Sequence, residues 1–250
     1  MRSSRWHAHG NEYLLVEPDS RLDADGARAL VGAADGVLEV VARGRDWAEI
    51  VVWNPDGSLA EMSGNGTRIA ARWLSDEAGL DSVRIRVGTR EVAARRRADG
   101  LIEQEIGDVD VAPREEIAGL EVIRVSVGNP HAVVIGDPEE LTRIGPLLET
   151  HPRFRERTNV QVVRVNRPGD VTARVWERGV GETTASGTSA VAVAAATHPQ
   201  GGEIVVHFPG GDLLVSLEEG RARLTGPAER FLSGEGERAS GRGEDAEPAT

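Results

Sequence analysis

The stretch Glu61-Met62-Ser63-Gly64-Asn65-Gly66-Thr67-Arg68-Ile69-Ala70-Ala71 decides how this chain is read. A serine and a glycine-rich turn run straight into an apolar helical segment, the pattern of a helix that starts at a capping hydroxyl and continues into a core. The same plan returns near the other end, in Glu182-Thr183-Thr184-Ala185-Ser186-Gly187-Thr188-Ser189-Ala190-Val191-Ala192. Other features keep step with these two. Gly10-Asn11 recurs as Gly128-Asn129, 118 residues on; Asn54 is matched by Glu177 and Ser63-Gly64 by Ser186-Gly187, both at 123; Ile85 is matched by Ile204 at 119 and Gly100 by Gly220 at 120. An ordered series with so small a drift points to two similar lobes.

Each lobe then wraps strands around one helix. Ser189–Ala196 is small and apolar on every side, which in a globular protein means burial. The expected fold class is α/β in the broad sense (α+β): two pseudo-symmetric lobes, each a mixed β-sheet or barrel around a central apolar helix, with a ligand site between them. Residues 1–115 form the first lobe and 116–228 the second, with a connection around 110–119 and with 229–233 free to return to the first. Strands are expected at 12–16, 37–41, 48–53, 83–87, 91–96 and 101–106, then at 121–127, 132–135, 160–165, 171–177, 203–207, 212–217 and 221–225. Helices are expected near 23–33, 66–80, 138–149 and 188–197. Residues 234–250 carry almost nothing apolar and are expected to be a disordered tail.

With 250 residues, 39% hydrophobic and 28% charged, the chain can bury a substantial core. The start Met-Arg-Ser-Ser-Arg-Trp has no apolar leader and no 18-residue apolar run follows, so the expectation is a cytoplasmic protein that does not span a membrane. A net charge of −12 argues against a nucleic-acid surface, and the basic cluster Arg95-Arg96-Arg97 reads as a solvated face. There is no cysteine, which removes disulfides, Cys-ligated metals and thiolate chemistry. His7 and His9 flank Ala8 but lack third and fourth ligands at suitable spacing, so no metal is expected. Gly64-Asn65-Gly66-Thr67 lacks the Gly-Lys-Ser/Thr ending of a phosphate loop, and Ser186 lacks the Gly-x-Ser-x-Gly elbow of a serine hydrolase.

A helix that begins in a glycine turn presents unpaired N–H groups and the positive end of its dipole, and so holds an anion. Two such starts, Ser63-Gly64-Asn65 and Ser186-Gly187-Thr188, could grip one carboxylate from both sides. The amides Asn11, Asn54, Asn129 and Asn159, with the pair Glu177-Arg178, add donors and acceptors suited to a zwitterionic amino acid.

Several blocks together carry a resemblance: His7-Ala8-His9-Gly10-Asn11-Glu12-Tyr13, Trp53-Asn54-Pro55-Asp56-Gly57-Ser58, the opening glycine turn, Val125-Ser126-Val127-Gly128-Asn129-Pro130-His131, Arg157-Thr158-Asn159-Val160 and Val175-Trp176-Glu177-Arg178-Gly179. Over about residues 5–232 the chain resembles the diaminopimelate epimerases. The resemblance implies a cofactor-free inversion at one Cα of LL-diaminopimelate to the meso isomer, on the route to lysine and peptidoglycan, and leaves room for a homodimer. It also implies that one base removes the Cα proton while an acid on the opposite face returns one, both being cysteines in that family. Here the matching positions are Ser63 and Ser186. The resemblance sets His131 and Glu177 beside them, so that the serines would relay protons to these two groups. At Gly36, after Asp35, some members of that family carry glutamine and others glycine, which bears on recognition of the distal end of diaminopimelate. A hydroxyl stays protonated unless a strong base adjoins it, so a member that binds without epimerising, or that performs another proton abstraction such as dehydration, is the alternative expectation.

Overall fold

The computed structural model describes residues 1–60 and 63–231, so the expected tail at 234–250 lies outside the described residues. The first half runs β1 (Arg2–Ala8), β2 (Asn11–Glu17), α1 (Ala24–Val31), β3 (Gly36–Arg43), β4 (Trp47–Trp53), β5 (Leu59–Ala60), α2 (Gly64–Ala78), β6 (Ser82–Val87), β7 (Arg90–Arg96), β8 (Ile102–Asp108) and β9 (Asp110–Val111). The second half runs β10 (Glu115–Ile117), β11 (Leu120–Ser126), β12 (Pro130–Ile135), a 3-10 turn (Pro138–Glu140), α3 (Leu141–Glu149), β13 (Asn159–Arg167), β14 (Asp170–Glu177), β15 (Gly181–Thr183), α4 (Gly187–Thr197), β16 (Gly202–Phe208), β17 (Gly211–Glu218), β18 (Arg221–Gly226) and β19 (Glu229–Arg230).

The strand pairings repeat in the same order. β1–β2 is antiparallel, β2–β3 parallel, β3–β4 antiparallel, β4–β6 parallel, and β6–β7 antiparallel. From β11 the series is again antiparallel (β11–β12), parallel (β12–β13), antiparallel (β13–β14), parallel (β14–β16) and antiparallel (β16–β17). Parallel neighbours require a crossover. α1 and α3 supply the first crossover of each half, α2 and α4 the second.

The helix inside each half is held by its own core. α2 buries Ile69, Ala70, Ala71, Trp73 and Leu74 against strands of the first half, and α4 buries Ala190 through Ala194 among Val133, Val163, Val175, Ile204 and Leu213. A helix enclosed by sheet on all sides favours small side chains, because each alanine lets a strand approach closely. α2 ends where Gly79 turns left-handed at φ 66.

Among the described residues three strand pairings join the halves. β8 pairs antiparallel with β18, placing Gln104 opposite Leu224. The last short strand of each half also crosses to the first long strand of the other: β19 sets Arg230 opposite Trp6 and Glu229 opposite His7, and 119 residues away β9 sets Val111 opposite Val125 and Asp110 opposite Ser126.

β1 was not expected from the sequence, because Arg2, Ser3, Ser4 and Arg5 give no apolar alternation; its ladder to β2 and the burial of Trp6 and Ala8 make it a strand. The helix expected from 138 begins instead as a 3-10 turn, where Asp137 caps Glu139 ahead of Pro138. The basic cluster is matched by acids: Arg95 lies 3.2 Å from Glu103, Arg96 2.9 Å from Asp76 and 3.0 Å from Asp81, and Arg97 3.4 Å from Asp99. Among the described residues no helix is long and apolar enough to cross a membrane.

Candidate active site

Ser63 and Ser186 are the N-caps of the two central helices, both in extended backbone conformation. The helix starts abut glycine to glycine: a Cβ built on Gly64 would stand 3.5 Å from Gly187 Cα, and one on Gly187 would stand 3.6 Å from Gly64 Cα. Two dipole ends thus face one region. The two hydroxyls differ in their surroundings. Ser63 Oγ accepts from Gly66 N–H at 2.9 Å, whereas the Ser186 side chain makes no cap hydrogen bond and is buried.

A cation lies directly behind these helix ends. Arg68, whose side chain is fully buried, donates to Asn65 Oδ1 at 2.7 Å and to the carbonyls of Gly64 and Pro227 at 3.5 and 3.4 Å. No carboxylate is among these partners. Burial pulls the guanidinium down to about 10, which still leaves it charged at neutral pH. Asn65 in turn donates to Asn11 Oδ1, so the charge fixes both amides. Gln104 ties the start of α2 to the joint between the halves by donating to Gly64 O at 3.0 Å and bonding Thr67 at 2.9 Å.

The second half carries a different chain of bonds. Gln161 Nε2 lies 3.0 Å from His131 Nδ1, His131 Nε2 lies 2.9 Å from Asn129 Oδ1, and Asn129 Nδ2 donates over 3.5 Å to Thr188 Oγ1 in the first turn of α4. With Gln161 as donor, the imidazole proton sits on Nε2 and orients Asn129. Burial, with the Arg178 charge nearby, holds His131 down to about 3, so the ring is neutral. Both ring nitrogens are committed to amides, and neither of these bonds is to a serine. Asn159 Nδ2 donates to Pro130 O, and Asn159 Oδ1 accepts the Arg178 N–H, both at 3.0 Å. Glu177 accepts from Thr183 Oγ1 at 2.6 Å, and burial raises its carboxyl above the usual range. Asn54 spends its amide locally, donating to Ser58 Oγ at 2.9 Å in the turn after β4.

The depressed His131 has a consequence for stability. Its folded pKa lies below the ordinary histidine value, so the unfolded chain binds the extra proton as the pH falls below about 6.5. The stabilisation is complete above that pH and is lost downward toward pH 3. At pH 5 the loss from this one group is about 2 kcal/mol. His9 and His198 are also held down by burial, so the His131 share is read from the variant: in urea unfolding the loss between pH 7 and pH 5 is expected to be about 2 kcal/mol smaller in His131→Gln than in the wild type.

Comparison with known proteins bears on this geometry. The sequence model described as diaminopimelate epimerase matches residues 123–231. A diaminopimelate epimerase of Synechocystis sp. is 34% identical in an alignment of 273 positions that covers 94% of this chain and 98% of that protein, and one of Thermobifida fusca is 37% identical in an alignment of 261 positions that covers 91% and 95%. The chain belongs to the diaminopimelate epimerase family. Solved structures of lower identity share the fold of this epimerase-family chain. A predicted epimerase from Pseudomonas aeruginosa superposes with a TM-score of 0.74 at 17% identity, covering 92% of this chain and 97% of that one. A hydroxyproline epimerase from Agrobacterium vitis gives 0.65 at 14% identity, covering 92% and 88%.

Three residues around the epimerase-family site were not singled out from the sequence. Arg68 stands inside the opening motif; its signal is a charge directly before the apolar run Ile69-Ala70-Ala71, three residues after Asn65. Gln161, inside an apolar strand, gave a weaker sign. Tyr13 places its hydroxyl 3.0 Å from Ser63 Oγ, and the internal repeat could have found it, since 118 residues on stands His131. His7 lies 3.5 Å from Glu229, while His9 is buried and packs toward Gly211 of the second half.

Proposed function

We propose that the protein is a cofactor-independent epimerase of the cytoplasm that inverts one Cα of LL-2,6-diaminopimelate to the meso form, on the route to lysine and peptidoglycan. The observation that carries this is the glycine-to-glycine meeting of two serine-capped helix starts in front of a buried guanidinium that has, among the described residues, no carboxylate as a hydrogen-bond partner. A substrate α-carboxylate supplies the missing anion. The N–H groups after Gly64 and Gly187 hold it and stabilise the enolate-like charge that develops when the Cα proton leaves. Asn11, Asn65, Asn129 and Asn159, with Thr188 and Arg178, shape the polar wall, and the Glu177 carboxylate receives the α-ammonium. Asn54 completes the wall in this reading through the turn that follows β4. Ser63 and Ser186 act on opposite faces of Cα, one taking a proton as the other gives one.

A second reading rests on the serines themselves. A hydroxyl is a far weaker acid than a thiol, which favours a protein that grips the amino acid and turns it over slowly or not at all. Incubation with LL-diaminopimelate in deuterated water, followed by proton NMR, separates the two. The expected result is deuterium at the inverted carbon together with appearance of the meso isomer. Calorimetric binding without any deuterium incorporation at high protein concentration would leave the binding reading in place.

A further inference from the structure

The internal repeat gives Tyr13 a counterpart. Gly10-Asn11-Glu12-Tyr13 stands 118 residues before Gly128-Asn129-Pro130-His131, and in the parallel ladders Tyr13 is opposite Gly36 as His131 is opposite Asn159. Tyr13 is therefore to the Ser63 turn what His131 is to the Ser186 turn. The two have diverged in their contacts. His131 spends both nitrogens on Asn129 and Gln161, whereas Tyr13 Oη reaches Ser63 Oγ at 3.0 Å. The ring is held from below by the bare backbone of Gly36, where a Cβ would come within 2.8 Å of Tyr13 Cε1. Since Ser63 Oγ also accepts the Gly66 N–H, Tyr13 completes a set of neighbours around that one oxygen.

We propose that Tyr13 is the positioning and proton-storing partner of Ser63, so that the working acid-base unit on this face is the Tyr13–Ser63 pair. This rests on the epimerase reading above. When the pair acts as base, the Cα–H bond breaks, its proton passes to Ser63 Oγ, and the Ser63 hydroxyl proton passes to the Tyr13 phenolate. The electron pair left on Cα delocalises into the carboxylate. When the pair acts as acid, Ser63 gives its proton to Cα and takes one from Tyr13, which is left as phenolate. The phenol, with a reference value near 10, is a far better store of the proton deficit than an isolated hydroxyl. Burial raises the Tyr13 phenol, the carboxylates of Glu177 and Asp35 raise it further, and the Ser63 hydrogen bond and the Arg68 charge oppose that rise.

Tyr13 is the only tyrosine in the chain, which makes the test specific. Its ionisation can be followed by ultraviolet absorbance, and fluorotyrosine incorporation labels this position alone. Ser63→Ala is expected to move the tyrosine titration upward, because the bond that favours the phenolate is gone; an unchanged titration overturns the pairing whether or not the protein turns over. The wild-type exchange rate in deuterated water is expected to rise with pH, and fluorotyrosine, being more acidic, to shift that rise to lower pH. Tyr13→Phe is expected to lower the rate about a hundredfold and abolish the rise, with calorimetric affinity for LL-diaminopimelate within about twofold of wild type. Exchange that persists in Tyr13→Phe with its pH profile unchanged overturns the relay alone. No exchange in the wild type overturns the epimerase reading and the relay with it.

Discussion

Replacing both serines by cysteine, Ser63→Cys together with Ser186→Cys, is expected to raise the rate of Cα deuterium exchange by at least about a hundredfold at neutral pH. The argument is one of acidity. A free thiol ionises near 8.5, and a helix N-terminus can bring it to between about 3.5 and 7.5. Both positions are N-caps of helices whose starts meet at Gly64 and Gly187, with the Arg68 charge behind them. A thiolate formed there is stabilised by that field, whereas a serine hydroxyl is so much weaker an acid that the same field leaves it protonated at neutral pH. The single variants are expected to gain far less than the pair, since inversion needs a proton taken from one face and one delivered to the other, and groups that act as a unit are not additive. A double variant that binds diaminopimelate in the calorimeter but exchanges no faster than the wild type would remove Ser63 and Ser186 from the proton path.

Arg68→Met is expected to leave the fold in place while weakening amino-acid binding on the order of 30-fold, which is the effect of a unit charge about 8 Å away at an effective dielectric near 20. Among the described residues the fully buried Arg68 has no carboxylate as a hydrogen-bond partner, so none of them offsets the desolvation cost of its burial with an ion pair. Methionine fills much of the stem volume and removes that cost, which compensates for the donor lost by Asn65. Arg68→Ala behaves differently. It opens a cavity and leaves Asn65 Oδ1 unsatisfied, at a cost of about 3–5 kcal/mol. Urea unfolding and calorimetric titration with LL-diaminopimelate, run on both variants, separate the electrostatic role from the packing role. Unchanged affinity in Arg68→Met would show that the guanidinium serves the fold and not the ligand.

The central helices were legible because their signals are local. A serine, a glycine and a run of small apolar residues define α4 within a dozen positions, and burial of Ala190 through Ala194 follows from that run. β1 was not legible, since Arg2-Ser3-Ser4-Arg5 becomes a strand only through partners at Leu14–Glu17. In the candidate site, Asn11, Asn129 and Asn159 were found through motifs, and the structure shows which groups orient them. Asn54 shows how little a motif says about an amide's bonds, since it donates to Ser58 within its own turn. The resemblance set His131 beside a serine proton relay; in the structure its ring is neutral and bonded to Gln161 and Asn129.

By itself the sequence determined the two repeated halves, the apolar helix at the centre of each, and the pairing of Ser63-Gly64 with Ser186-Gly187. These follow from composition, periodicity and turn chemistry, which act over a few residues. The tertiary structure alone decided that β9 and β19 cross between the halves, that Arg68 is sealed behind both helix starts, and that Tyr13, fifty residues before Ser63, meets its hydroxyl. Those outcomes depend on strand register and on contacts between distant segments, and no local pattern encodes a register until the sheet has closed around its helix.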